Sequence, residues 1–331
     1  MIITRTPFRI SFFGGGTDYP PWFKEHGGAV LATTIDRYCY ISLRRLPPFF
    51  DHKHRIVYSR IENVREISEI EHPSVRAVLD WAKIDGGIEV HHDGDLPARS
   101  GLGSSSSFTV GLINALYALD GKRATKKKLA ENAIHIEQDL IKENVGSQDQ
   151  ISAAFGGFNK IDFHHNGGFD VSPVILRDGR LEELQSHLML CFTGFSRIAS
   201  EVAGSKIANL KKKEIELKQM HAMVDQAIEI LQTPSVPIEE FGKLLNQSWQ
   251  FKRQLSDRVS TPEIDSIYDE SMKAGAIGGK ILGAGGGGFF LIFAKPERHE
   301  AIRSALNGLI HVPFKFDNSG SKVVLYQPDG L

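Results

Sequence analysis

The run Leu96-Pro-Ala-Arg-Ser-Gly-Leu-Gly-Ser-Ser-Ser-Ser107 leads straight into an apolar segment, Phe108 to Leu116. Glycine lets backbone amides approach a ligand closely. Serines at a helix start add hydroxyls where free N–H groups and the helix dipole favour an anion. Such a loop suits a polyphosphate. Its serine hydroxyls can also ligate a magnesium ion that bridges the phosphates. A flexible linker has the same composition, but the patterned helix that follows favours the anion site. No G-x-x-x-x-G-K-[ST] loop occurs, and protein-kinase signatures are absent.

Two carboxylates stand out downstream. On a helical wheel of Lys126–Glu143, at ~100° per residue, Leu129, Ala130, Ala133, Ile134, Ile136, Leu140 and Ile141 form one arc. Glu131, His135, Gln138, Asp139 and Lys142 lie opposite, while Glu137 falls inside the apolar arc. A carboxylate there is costly unless it is paired or bound to metal. Beside a suspected magnesium loop, the metal role is the better reading. Asp149 sits in the first turn of a helix that starts near Gly146 and Ser147. A first-turn Asp also compensates the helix dipole, and the residue alone does not separate the two roles.

Two further glycine loops follow apolar strands. Gly283-Ala-Gly-Gly-Gly-Gly288 matches G-x-G-x-x-G literally. The dinucleotide reading fails, because Phe289–Phe293 after it is a strand and that fingerprint requires a helix. The loop can instead bring bare backbone against another loop or a phosphate, or serve as a turn. Near the N-terminus, Arg9 interrupts an apolar strand, and Gly14–Gly16 then present Thr17, Asp18 and Tyr19. Several hydrogen-bonding groups on one tight loop suit a polyol; an ordinary turn fits equally well.

The elements that must position these groups read as an α+β chain. Strands are expected at Ile2–Phe13, Ala29–Ile35, Tyr38–Arg45, Ile56–Ser59 and Gly87–His91. Helices are expected from Pro73, over Ser105–Leu119 and Lys126–Glu143, and after Gly146. A second unit starts near His187, with a strand at Leu188–Thr193 and helices over Ala199–Leu231, Ile238–Leu255 and Pro262–Ala274. Thr261 is the N-cap of the last helix and Pro262 its first residue. Strands at Lys280–Leu282 and Phe289–Ala294, a helix at Glu297–Leu306 and a strand at Lys322–Tyr326 complete a β-α-β-β-α-β, ferredoxin-like order. Units of 1–180 and 187–331 are expected.

A net charge of -1 gives no basic surface for nucleic acid or an anionic membrane. No apolar run reaches the ~18 residues that span a bilayer. Cys39 and Cys191 lie in apolar strands and read as buried free thiols. The expected compartment is the cytoplasm. His91-His92 and His164-His165 have no accompanying zinc-ligand pattern.

The three loops, in this order, resemble the GHMP kinase family (galactokinase, homoserine, mevalonate and phosphomevalonate kinases). Its first motif resembles Thr6–Tyr19, its second Leu96–Phe108 and its third Lys280–Phe289. The variant Phe-Phe-Gly-Gly-Gly-Thr-Asp-Tyr-Pro is most similar to the bacterial branch acting on heptose 7-phosphates. It departs from galactokinase, which has Glu-His at the positions of Gly15 and Gly16. The resemblance implies an N-terminal α/β domain with a left-handed crossover and a ferredoxin-like C-terminal domain. It implies ATP as co-substrate, with Arg99, Ser100, Gly101, Leu102, Gly103, Ser104, Ser105 and Ser106 around its phosphates. Ser105 and Glu137 would hold Mg2+. Asp149 would be the catalytic carboxylate with Arg9 beside it. Arg9, Thr17, Asp18, Tyr19, Asp149, Gly285 and Gly286 would meet the acceptor. The implied reaction yields ADP and a sugar 1-phosphate from a small sugar or sugar phosphate. Kinases for galactose, fucose or a small alcohol, and a non-catalytic sugar and ATP sensor, are the rival readings. The expected assembly is a monomer or homodimer.

Overall fold

The spine of the first sheet is one antiparallel pair, β1 (Ile2–Phe13) and β2 (Gly28–Arg45). The computed structural model describes residues 1–98, 100–194 and 199–328. β2 is one strand where two were expected. Pro7 pairs with Tyr38 and Phe8 with Ile35, so Asp36 and Arg37 form a bulge without ending the strand. A bulge adds residues on one side and bends the ladder while pairing continues. β3 (His54–Val57), β4 (Ile61–Val64) and β5 (Ile88–Gly94) extend the sheet, with β3 parallel to β5. Before β3, α1 (Pro20–His26) leaves the first glycine loop; α2 (Pro73–Trp81) lies between β4 and β5.

α3 (Ser104–Leu119) packs on β1 and β2, its apolar residues buried along nearly its whole length. α4 (Lys126–Ile134) does not run on to Glu143 as expected. A π-helical turn, His135–Leu140, replaces its end and carries Glu137. Such turns inside helices are common at functional sites. α5 (Gln148–Phe155) follows, then β6 (Asn159–Phe163) and β7 (Phe169–Pro173), which join the sheet through β2.

The second half contains α6 (Arg180–Ser186), β8 (Leu188–Phe192), α7 (Ala199–Asn209), α8 (Glu214–Gln232), α9 (Glu239–Gln254) and α10 (Pro262–Lys273). A 3-10 turn at Leu210–Lys213 divides the expected long helix into α7 and α8. The Thr261 hydroxyl caps α10 by accepting from Ile264 N–H. β9 (Gly278–Ile281), β10 (Phe289–Phe293), α11 (His299–Ala305) and β11 (Ile310–His311) complete a sheet of order β11-β8-β10-β9.

That order is ferredoxin-like, but its fourth strand is the short β11 and not Lys322–Tyr326 as expected. The last segment, β12 (Phe316–Asp317) and β13 (Lys322–Tyr326), returns to the first sheet, where β12 pairs β2 and β13 pairs β1. Gly320 permits the return, since a Cβ there would stand 2.0 Å from Ala154 O. The second sheet therefore ends at His311, inside the expected 187–331 unit.

The two sheets share a core. Phe12 and Phe13, at the end of β1, meet Phe241 of α9 edge-to-face at 5.5 and 5.1 Å. This contact places the end of β1 against the helices and glycine loop of the second half. No described helix is long and apolar enough to cross a membrane.

Candidate active site

The serine loop and the third glycine loop are packed backbone on backbone. A Cβ on Gly283 would stand 2.5 Å from Gly101 Cα, and one on Gly288 2.2 Å from Ser100 O. Phe289 N–H donates to Ser100 O at 3.0 Å. The glycines of the third loop therefore act first as contact surface for the second. Gly285 and Gly286, expected at the acceptor, instead pack on Val259, with Gly286 N–H donating to Val259 O. Gly283 and Ala284 line the cavity in their place.

That cavity, about 220 Å³, also takes in Arg9, Asp18, Tyr19, Gly101, Gly103, Ser104, Ser105, Ser106 and Asp149. The space suits a small molecule and excludes a folded partner. Ser100 and Leu102 do not line it. Ser100 supports the third loop, and Leu102 is a core side chain whose carbonyl accepts from Arg9 N–H. Thr17 does not line the cavity either. It is fully buried, and its hydroxyl bonds Gly14 O and Ala29 O, which closes the first glycine loop. Arg99 lies outside the described residues.

Arg9 and Asp149, 140 residues apart, form a two-point pair: Nε to Oδ1 and Nη2 to Oδ2, both 2.8 Å. Arg9 Nη1 also donates to Gly101 O at 2.6 Å, so one guanidinium ties the carboxylate to the serine loop. Asp149 is in the first turn of α5, and its side chain keeps 26% exposure toward the cavity against 4% for Arg9. A charge-assisted fork of this kind fixes orientation as well as energy. Asp18 is buried and accepts from Gly16 N–H and from Gln148 Nε2, each at 2.9 Å. Burial pushes its carboxyl up, with the nearby Asp149 charge adding to the shift. Gly146 makes room for it, because a Cβ there would stand 1.8 Å from Asp18 Oδ2.

Glu137 is fully buried behind the serines and does not line the cavity. Ser106 Oγ donates to its Oε2 at 2.9 Å, and Gln150 Nε2 bonds the same oxygen. Its Oε1 is buried with no partner. Burial pushes the carboxyl up to about 7. Ser106, and not Ser105, is the serine bonded to Glu137; Ser105 is exposed to the cavity. An orphaned carboxylate oxygen beside serine hydroxyls at a helix start fits a magnesium ion. Such an ion takes one or two carboxylates and otherwise phosphate or water oxygens. Among the described residues no cluster of three or more acidic, His or Cys side chains offers a richer metal site.

Three buried lysines in the cavity wall were not anticipated: Lys206 of α7, Lys252 of α9 and Lys280 of β9. Lys252 Nζ donates to Ile281 O and Gly283 O, each at 2.7 Å, and so holds the third glycine loop. Lys280 Nζ donates to Phe12 O at 2.7 Å and joins β9 to β1. Burial lowers all three, Lys206 to about 8 and Lys280 to about 7, with Lys252 held well below the ordinary lysine range. The signal that marks Glu137 also marks Lys252, which continues the buried stripe of Phe241, Leu244, Leu245, Ser248 and Trp249. Lys280 likewise interrupts an apolar strand as Arg9 does. The arrangement offers an anion-binding helix start, a paired carboxylate facing it and cationic walls, the elements of phosphoryl transfer by positioning and charge stabilisation.

The profile of the GHMP kinases N terminal domain matches residues 69–157, and that of the GHMP kinases C terminal region matches residues 237–310. The D-glycero-alpha-D-manno-heptose 7-phosphate kinase of Campylobacter jejuni is 31% identical, over 97% of this chain and 98% of that relative. The galactokinase of Pyrococcus furiosus is 27% identical over 100% of this chain and 99% of its own. The crystal structure of a D-glycero-D-manno-heptose 1-phosphate kinase from Bacteroides thetaiotaomicron has a TM-score of 0.78, covering 97% of this chain and 98% of that one at 23% identity. With its fold, its three loops and a relative of this identity along nearly its full length, the chain belongs to the GHMP kinase family.

Proposed function

We propose that this chain is an ATP-dependent sugar kinase that transfers the γ-phosphate to the anomeric hydroxyl of a heptose 7-phosphate, giving the sugar 1-phosphate ester and ADP. The observation that carries the reading is a cavity in which the Arg9–Asp149 pair faces the serine-rich start of α3. The name of the Campylobacter jejuni relative supports the acceptor.

Gly101, Gly103, Ser104 and Ser105 surround the ATP phosphates, with the N–H groups of the α3 start as donors. Glu137 with Ser105 or Ser106 would hold a magnesium ion, which would supply neutralisation of phosphate charge. Asp149 accepts the proton of the acceptor hydroxyl as its oxygen attacks phosphorus. Arg9 holds that carboxylate oriented by its two hydrogen bonds, and steadies charge on the transferred group. Asp18 and Tyr19 meet the sugar hydroxyls. ADP release measured over a panel of hexoses, heptoses and their phosphates tests this, with phosphorus NMR of the product to identify the new ester. Turnover of a heptose 7-phosphate to a 1-phosphate ester is expected. Turnover confined to neutral hexoses or to non-sugar alcohols overturns the acceptor, and ATP binding without ADP release overturns the kinase.

A further inference from the structure

Among the described residues four cationic side chains line the cavity, and three of them are committed to partners. Arg9 is held by Asp149 and Gly101 O, Lys252 by two backbone carbonyls, and Lys280 by one. Lys206 differs. As a residue it is 5% exposed and lines the cavity, and among the described residues no hydrogen bond or ion pair holds its ammonium. The Tyr19 ring lies beside it, with Nζ 5.6 Å from the centroid. A cation over a ring face gains something, but far less than a buried ammonium loses on leaving water.

The charges around it do not complete the pairing. From the first loop and α5 it faces Asp18 and Asp149, and from β1 Arg9. Lys252 of α9 and Lys280 of β9 also feel its charge. Asp149 is oriented by Arg9, and the Asp18 oxygens by Gly16 N–H and Gln148, and no bond runs from either carboxylate to Lys206. The ammonium is also fixed in place. Asn209 Nδ2 donates to Leu255 O at 3.1 Å, and Ser205 and Ser256 share a hydroxyl hydrogen bond, so α7 is anchored on the end of α9. Lys206 is therefore a positioned cation lining the Asp18–Tyr19 side of the cavity, near the Asp18 and Asp149 charges but bonded to neither.

We propose that Lys206 reads an anionic group carried by the acceptor itself, so that the site selects a phosphorylated sugar over its neutral counterpart. This rests on the sugar-kinase reading and names the residue that discriminates within it. A phosphate on the sugar would supply the acceptor oxygens that Lys206 lacks and offset the cost of its burial. Burial lowers the Lys206 pKa to about 8 although the Asp18 and Asp149 charges favour the ammonium, so a further anion beside it would stabilise the charged form.

Lys206→Met keeps the length and apolar stem while removing the charge, and Lys206→Arg keeps the charge. Each protein, saturated with magnesium and a non-hydrolysable ATP analogue, is titrated calorimetrically with mannose, mannose 6-phosphate, the heptose and heptose 7-phosphate. Wild type should bind a phosphorylated member at least about 30-fold more tightly than its neutral partner. The methionine variant should reduce that ratio below about threefold, as loss of one partner of a buried charge pair does. The arginine variant should retain most of it, and analogue affinity should stay within about twofold. The proposal is overturned if wild type shows no preference, if the preference survives in Lys206→Met, or if analogue affinity falls in parallel. ADP release on the same panel separates the two readings. A preference that collapses in Lys206→Met without turnover of any sugar supports Lys206 and overturns the kinase.

Discussion

Replacing Asp149 by Asn tests the assignment of the base. In the native pair each carboxylate oxygen accepts one Arg9 N–H at 2.8 Å. Asn can accept only one of them, and its amide group turns donors toward the other. Arg9 keeps its bond to Gly101 O, so the guanidinium is not wholly abandoned. The structural cost is then about 1–3 kcal/mol, the range for one unsatisfied buried hydrogen-bonding group. The chemical cost is larger. Losing a general base lowers kcat by roughly 10²–10⁴-fold. At about 1.4 kcal/mol per tenfold this is about 3–5 kcal/mol in the barrier. A helix-dipole role for Asp149 predicts the opposite balance, a modest stability change with near-normal turnover, because Asn also serves a helix start. Single-turnover phosphorylation at saturating magnesium and ATP isolates the chemical step, with thermal melting and nucleotide titration as controls. A variant that folds, binds nucleotide and turns over within about tenfold of wild type refutes the base assignment. Arg9 and magnesium would then carry the transfer alone.

Glu137→Gln should raise the magnesium concentration for half-maximal activity by about 10-fold or more, on the scale of lost metal-site groups. Glu137 also predicts a stability profile: its pKa rises from an ordinary 4.5 to about 7 on folding, so its contribution is full below 4.5 and is lost as pH climbs through about 7. Thermal melts from pH 4.5 to 8 should show that decline in wild type and a flatter profile in the Gln variant; parallel profiles would count against the burial account. Asp18→Asn should weaken sugar binding more than ATP binding in separate titrations, and equal losses would remove its acceptor role. Gly146→Ala places a methyl 1.8 Å from Asp18 Oδ2, so about 1–3 kcal/mol of overpacking and a raised acceptor KM are expected. Unchanged melting and KM would show that the loop yields freely.

Much of the site was legible in residue order because burial leaves a periodic trace. Glu137 lay on the apolar arc of its helix, and it is fully buried. Arg9 interrupted an apolar strand, and it lines the cavity. Lys252 and Lys280 leave the same trace and could have been read the same way. The serine run before an apolar helix marked the start of α3 to within one residue. Tertiary approach decided the rest. Asp149 is distinguished from an ordinary first-turn acid only by meeting Arg9 across 140 residues of chain. Ser106 and Ser105 are chemically identical neighbours that both line the cavity, and only the direction of each side chain at the α3 start bonds Ser106 to Glu137 and leaves Ser105 exposed. Thr17, Gly285 and Gly286 sit in the expected loops but turn to Ala29 and Val259. β13 has the pattern of any strand, and nothing local indicates that it will pair with β1 and not with the second sheet. Helix phase and capping act over a few residues, so the sequence by itself determines them. Partners far apart in the chain are chosen by which surfaces fit when the whole core closes, and that choice exists only in the folded molecule.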